Sequence, residues 1–390
     1  MKYEHLKHIS TILQAEIDAR AIAGCAIMVI HGNAVVFEQE LGYADKEREI
    51  PNTKDTIYRL YSMTKPITSA AIMILYERGQ LDLLAPAADY LDGFKNQKVW
   101  TDKGLVDADR DVTIQDLLNM TSGVVYPDET FEAGRRMGTL YGDSNRMFNQ
   151  GKPLNTIDFC NMIGRMPLEF QPGERWRYGA SADILGAIIE VVSGQTLGEF
   201  LQKEIFAPLV MVDTAFYVPK EKLGRFAVIY EYNPLLKQLE IFGGRFLGIG
   251  DFMDPPAFES GGAGLVSTIE DYSRFAMMLI NSGSYQGVSI LGRKTVEYMA
   301  LPQLTKGQAE TYNWDTQYGY SYGCLMRHLV NPVKGVTNGT IGEFGWDGWT
   351  GNYFFIDPKE NLIMIYMKQR CNGGNPEVIR RLRQIIYGAI

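Results

Sequence analysis

Ser62 and Lys65 stand three residues apart in "RLYSMTKPITSAAIMILYERG", residues 59–79, where Ile67, Ala70, Ala71, Met73, Ile74 and Leu75 are apolar at helical spacing. Positions three apart on a helix share a face, with Cβ atoms about 5–6 Å from each other. A serine hydroxyl and a lysine amine placed this way form a nucleophile and its activator. Pro66 puts the start of the helix close to Ser62, because proline is tolerated in a first turn, where its missing N–H had no partner. The same proline disfavours α geometry at Lys65, in tension with the helical pattern downstream. A serine at a helix start lies near free backbone N–H groups and the positive end of the dipole, which suits a developing oxyanion. A lysine beside it in apolar surroundings has its charged form disfavoured and becomes a usable base. A structural reading covers the same residues, with Ser62 as a cap and Lys65 reaching to solvent. Since an S-x-x-K arises about once by chance in such a chain, the pattern alone leaves both readings open.

Other catalytic arrangements fare worse. Gly319-Tyr320-Ser321-Tyr322-Gly323 matches G-x-S-x-G, but it lies in strict alternation, which predicts a strand rather than the strand-to-helix elbow the motif needs. The only later histidine, His328, follows with no carboxylate between. His5, His8 and His31 all precede Ser62, in a terminal helix and a hairpin turn, where solvated roles are expected. A serine hydrolase built on this chain therefore needs a lysine or tyrosine base.

The elements that must position these groups follow from periodicity. Leu6, Ile9, Ile12, Leu13 and Ile17 predict a helix over residues 4–20, and "CAIMVIHGNAVVFEQELGYAD" predicts a hairpin turning at His31-Gly32-Asn33. Residues 86–255 read as helices and long loops without convincing strand pairs. Near the end, "QYGYSYGCLMRHL", "GEFGWDGWTGNYFFIDP" and "NLIMIYMKQ" return to strand patterns, and "NPEVIRRLRQIIYGAI" closes as an amphipathic helix. The expectation is an α/β (α+β) protein with an antiparallel sheet built from both termini. One domain would comprise residues 1–85 and 256–390, a mostly helical one residues 86–255, with the site in the cleft between them.

Composition narrows the function classes. The chain has 390 residues, 46% apolar and 22% charged, enough for a large core. A net charge of -8 gives no basic footprint for nucleic acid. No run approaches the roughly 18 apolar residues of a membrane span, and the N-terminus lacks the pattern of a signal peptide. Cys25, Cys160, Cys324 and Cys371 are scattered and form no C-x-x-C pair, which argues against a zinc site or a disulfide framework. A reducing cytoplasm is the expected location, with neither metal nor cofactor required. No pattern in the sequence fixes the oligomeric state.

A wider set of segments then comes together. "YRLYSMTKPITSAAIMIL" with "GQLDLLAPAADYL", "VTIQDLLNMTSGV", "PGERWRYGASADILGAIIEVVSG", "SGGAGLVSTIEDYSRFAMMLINSG" and "FGWDGWTGNYFFIDPKENLIMIYMKQ" resembles, in order, the serine β-lactamase-like superfamily. The closer resemblance is to the branch holding class C β-lactamases, family VIII carboxylesterases, penicillin-binding-protein-like D-amino-acid peptidases and transesterases. It implies a β-lactamase/transpeptidase-like fold, with Ser62 as nucleophile, Lys65 as its partner and Tyr178 of "RYGAS" as the catalytic tyrosine that shares proton transfer. It also implies that Trp346-Asp347-Gly348 replaces the Lys-Thr-Gly that borders the substrate, and that the Ser62 and Trp349 backbone amides form the oxyanion hole. Gly348 would let the strand approach the substrate closely.

Two departures turn the resemblance toward esters. Ala180 stands where an asparagine or serine usually bonds the substrate amide, and only a shifted backbone would let Ser181 take that place. Asp347 would repel a β-lactam carboxylate where the family lysine would attract it. Met120 replaces a common histidine ahead of Thr121-Ser122-Gly123, outside the catalytic set. Tyr126 follows that turn, with an acyl-site wall and an exposed loop as its two readings, and residues 126–156 give no specificity rule. The expected function is a serine hydrolase acting through an acyl-enzyme, a carboxylesterase on small or short-acyl esters, with a small-molecule ester or amide as its partner. The alternatives are a β-lactamase or D-amino-acid peptidase, and a non-catalytic penicillin-binding-like module.

Overall fold

A computed structural model describes residues 2–312, 314–372 and 376–390. Its centre is an eight-stranded antiparallel sheet built from both ends of the chain. In spatial order the strands are Tyr320–Gly323, Met326–Leu329, Phe344–Asp347, Tyr353–Asp357, Leu362–Lys368, Gly24–His31, Ala34–Asp45 and Ile50–Pro51. The join between the two ends is the pairing of Gly24–His31 with Leu362–Lys368, in register from Cys25↔Lys368 to His31↔Leu362. The expected hairpin turns through Gly32 and Asn33, both at positive φ (60° and 65°), as a two-residue primed turn requires.

Both faces of the sheet are covered, and alternate side chains of one strand divide between them. Cys25, Ile27 and Val29 pack with Ile9, Ile12 and Leu13 of the helix Lys7–Asp18 and with Val378, Leu382 and Ile386 of the C-terminal helix Pro376–Gly388. The C-terminal helix was expected from residue 375, and Asn375 itself lies outside the described residues. Ala26, Met28 and Ile30 face the larger core, shared with the helices Lys65–Glu77 and Ile269–Ile280. The helices Glu132–Asn149, Thr156–Gly164 and Ser181–Ser193 extend that core away from the sheet.

The expectation that residues 86–255 lack strand pairs is corrected. Lys98–Thr101 pairs with Gly104–Asp107, and Tyr230–Asn233 pairs with Gln238–Ile241. Each strand is four residues long and carries only two alternations, too few for a period of two to stand out. Among the described residues no single helix is long and apolar enough to cross a membrane.

Candidate active site

The segment ahead of Ser62 is tied down before the helix begins. Tyr58–Arg59 pairs with Val266–Ser267, and the Leu60 amide donates to the Leu265 carbonyl at 2.9 Å. Tyr61 then takes φ +46°, an uncommon left-handed conformation for a bulky residue. Its buried ring packs edge-on against Trp349, Phe246 and Phe252, which holds it there. Ser62 lies in a 3₁₀ turn over Tyr61–Thr64, and the α-helix proper begins at Lys65 and runs to Glu77. Lys65 adopts α geometry (φ -54°, ψ -45°) despite Pro66, because the proline falls in the helix's first turn.

Ser62 and Lys65 meet as their spacing implied, and Tyr178 joins them from the turn preceding the helix Ser181–Ser193. Tyr178 Oη donates to Ser62 Oγ at 2.7 Å, and Lys65 Nζ lies 3.3 Å from the same oxygen. Lys65 is completely buried, so it does not reach to solvent. Its amine also donates to the Gly262 carbonyl at 2.9 Å, contacts Tyr126 Oη at 3.2 Å, and stands 4.6 Å from the centre of the Tyr178 ring. Burial lowers its pKa to about 7, against the opposing pull of Asp183 and Asp347. Burial moves the Tyr178 phenol the other way, well above its ordinary value, with the Ser62 and Trp346 contacts opposing. Near neutral pH the lysine therefore exchanges its proton readily while the tyrosine keeps its own.

The third motif approaches from the sheet. Gly348 is required by the lead-in chain, since a Cβ there would lie 2.4 Å from the Leu60 carbonyl. That close approach is to the segment carrying Ser62, a different reason for glycine from the expected approach to substrate. Asn352 reinforces it, with Nδ2 donating to the Arg59 carbonyl at 2.7 Å and the Gly348 amide donating to the Asn352 carbonyl at 2.9 Å. The turn that follows Gly348 is thus fixed against the turn that presents Ser62. Trp349 lines the cleft beside Ser62, and its ring stacks on Phe246 at 4.0 Å. Trp346 is fully buried, its Nε1 donating to Tyr178 Oη at 3.4 Å, so it supports the tyrosine from behind. Asp347 lines the cleft with 39% of its side chain exposed, and Arg327 Nη1 lies 3.9 Å from its carboxylate. The aspartate expected to repel anions is therefore partly offset by a buried guanidinium.

Ser181 does not take the place that Ala180 leaves. It is fully buried in the first turn of its helix, with Oγ 3.0 Å from Ser122 Oγ. Two contributors, Gly262 and Asp183, escaped the sequence reading, and a third, Tyr126, was left there between an acyl-site wall and an exposed loop. Tyr126 lines the cleft and touches Lys65, and only its place after the Thr-Ser-Gly-Val turn gave a hint. Gly262 supplies the carbonyl that anchors Lys65, and a Cβ there would stand 2.9 Å from Tyr126 Oη. Asp183 holds that carbonyl's turn, accepting from the Gly262 amide at 2.9 Å and from Ser260 Oγ at 2.5 Å. In the sequence Asp183 reads as an ordinary acidic residue in a helix's first turn. Among the described residues no group of three or more His, Cys, Asp or Glu side chains is placed to hold a metal ion.

These groups open into a cleft of about 1060 Å³, lined by Ser62, Tyr126, Tyr178, Asp347, Gly348 and Trp349 among others. Comparison with known proteins bears on this arrangement. A family model described as Beta-lactamase matches residues 9–388. Protein Rv1367c of Mycobacterium tuberculosis is 30% identical over 365 residues, covering 91% of this chain and 87% of the relative. Esterase EstB of Burkholderia gladioli is 27% identical, covering 96% and 93%. In fold the chain resembles EstCE1, described as a hydrolase with promiscuous acyltransferase activity, at TM-score 0.84 and 23% identity over 99% of both chains.

Proposed function

The chain belongs to the β-lactamase family, and from that premise we propose that it is a serine hydrolase of the carboxylesterase kind, acting on small-molecule esters through an acyl-enzyme. The observation that carries this reading is the convergence of Tyr178 Oη and Lys65 Nζ on Ser62 Oγ at 2.7 and 3.3 Å inside the cleft. Neutral Lys65 takes the Ser62 proton as Oγ bonds to the ester carbonyl carbon. The carbonyl oxygen becomes an oxyanion, which the Ser62 and Trp349 amides receive. When the C–O bond to the alcohol breaks, the proton held by Lys65 reaches the departing oxygen through the Tyr178 hydroxyl. Water then attacks the acyl carbon, giving its proton to the same pair, and Ser62 leaves with a proton restored.

Esterase EstB is named for the activity proposed, which supports the substrate class. A neighbouring relative, 26% identical, is named a putative D-alanyl-D-alanine carboxypeptidase. Ala180, which offers no side-chain hydrogen bond to a substrate amide, and Asp347 beside the oxyanion strand both favour the ester. The cleft volume admits acyl or alcohol portions well beyond a short chain. Ser62→Ala is expected to abolish p-nitrophenyl acetate turnover and labelling by a fluorophosphonate. Retained activity in that variant overturns the assignment, and nitrocefin hydrolysis faster than ester hydrolysis transfers it to the β-lactamases.

A further inference from the structure

Arg327 and Asp347 stand on neighbouring strands of the sheet, and the register fixes their relation. Arg327 pairs with Gly345, so Asp347, two residues further along, lies diagonally across on the same face. Tyr353 faces Asp347 from the next strand. The guanidinium is held in place, with Nη2 donating to the Phe354 carbonyl at 2.9 Å and the group 4.2 Å from the centre of the Tyr353 ring. Its Nη1 therefore stops 3.9 Å from the Asp347 carboxylate, too far for a hydrogen bond.

Both sides of that gap are left unsatisfied. Arg327 is 1% exposed and its Nη1 has no hydrogen-bond partner, an uncommon state for a buried guanidinium. The Asp347 side chain accepts no hydrogen bond among the described residues, and charge alone links it to Arg327 and Lys65. Both residues line the cleft, where Asp347 is the only carboxylate among the described residues. The opposed charges decide what fits between them. An anion is repelled by Asp347 and a cation by Arg327, which leaves a neutral group. A single oxygen about 2.8 Å from both atoms spans a gap of 3.9 Å, and a hydroxyl both donates and accepts through one atom.

We infer that Asp347 and Arg327 together bind a hydroxyl group carried by the substrate away from the scissile bond, which donates to the Asp347 carboxylate and accepts from Arg327 Nη1. The inference rests on the hydrolase reading and names a substrate class for it: esters with free hydroxyl groups, such as partial esters of polyols. Trp314 and Tyr318 are partly exposed and line the same cleft, where their ring faces suit the C–H surface of a polyol skeleton. A few placed polar groups among aromatic walls is the usual composition of a selective pocket.

The test compares hydroxylated esters with their deoxy counterparts on either side of the reacting bond. Glycerol monobutanoate is set against propyl butanoate, and 4-nitrophenyl 3-hydroxybutanoate against 4-nitrophenyl butanoate. At least one hydroxylated ester is expected to exceed its counterpart in kcat/KM, and that ratio is expected to fall on the order of tenfold in Asp347→Leu. Taking the ratio cancels the effect of the lost charge on Lys65, which both esters share. High salt is expected to leave the ratio unchanged, because the bound group is neutral, and a ratio that salt lowers overturns the inference. Should Asp347→Leu not fold with the Arg327 charge left unpaired, Asp347→Asn gives the same readout on a smaller scale. Ratios at or below one, or indifferent to Asp347, mean that water bridges the pair with or without substrate. They overturn the hydroxyl site while leaving the esterase intact. Absence of all ester turnover and of Ser62-dependent fluorophosphonate labelling instead sinks the hydrolase reading. Calorimetric titration of Ser62→Ala protein with glycerol monobutanoate and propyl butanoate then decides the hydroxyl site separately. Tighter binding of the glycerol ester that weakens on adding Asp347→Asn supports it, and equal binding, or a preference indifferent to that substitution, refutes it.

Discussion

At the scale of single residues, the site depends on one buried amine kept close to neutrality. Lys65 loses its ordinary basicity because it is wholly buried, and Asp183 returns part of that loss from behind the Gly262 carbonyl. Because the reaction needs the unprotonated amine, kcat/KM is expected to fall as pH drops through about 7, with the acid limb assigned to Lys65. Asp183→Asn keeps an oxygen acceptor for the Gly262 amide and Ser260 hydroxyl but removes the negative charge. Its acid limb is expected to move to lower pH, and a pH–rate profile unmoved by this change would disconnect Asp183 from the lysine. Tyr126→Phe removes one polar contact of Lys65, and a loss of about tenfold in kcat/KM is expected. The Ser62–Lys65 spacing made this much of the site readable in the sequence. Gly262 and Asp183 were not, and Tyr126 stayed between two readings, because their roles come from segments 61 to 197 residues away that carry no local pattern.

At the scale of elements, two attachments decide whether those residues meet. The first is the contact of Gly348 with the Leu60 carbonyl, which sets the turn carrying Trp349 against the turn carrying Ser62. Gly348→Ala is expected to push the two apart and lower kcat on the order of 10²-fold, comparable to losing an oxyanion donor, with KM for a small ester moving much less. The second attachment binds the C-terminal helix to the sheet. Arg383 pairs with Glu343, and the Tyr387 hydroxyl lies between Glu343 Oε2 at 2.6 Å and Asp357 Oδ2 at 2.8 Å. Both carboxyl groups are fully buried and one hydroxyl proton cannot serve both. Burial raises the Asp357 pKa above its ordinary value, with Tyr387 and other hydrogen bonds opposing. A raised folded pKa contributes stability below the unfolded value of 3.8 and loses it as pH rises through the folded value. Asp357→Asn is therefore expected to stabilise the protein at pH 7 by about 1 kcal/mol, with the gain vanishing toward pH 4, in urea unfolding. Glu343→Gln strands the Arg383 charge and is expected to cost about 3–5 kcal/mol in the same experiment.

At the scale of the whole molecule, the fold was legible where elements are long or strongly patterned. The eight-residue strand Gly24–His31 and the thirteen-residue helices carrying Lys65 and closing the chain announce themselves by periodicity. The hairpins at 98–107 and 230–241, built of four-residue strands, do not, and neither does the loop bringing Phe246 onto Trp349, since a long-range aromatic stack leaves no trace in neighbouring residues. The cleft inherits that difficulty. Its walls come from the nucleophile turn, the Tyr126 loop, the Phe246 loop, the Trp314 segment, the strand edge at Asp347 and the C-terminal helix, spread over more than 300 residues. An adduct on Ser62 touches several of these walls at once, and it can do so only in the folded state, where they are assembled. The adduct stays bonded to Ser62 in both states, so it raises stability only by the contacts it makes in the native one. Labelling Ser62 with a long-chain alkyl fluorophosphonate is accordingly expected to raise Tm by about 1–3 °C. A small phosphonate, reaching fewer walls, should give less. Equal shifts for the two reagents would mean that the distal walls make no contact with what Ser62 carries, and the long cleft would then lose its claim to the substrate.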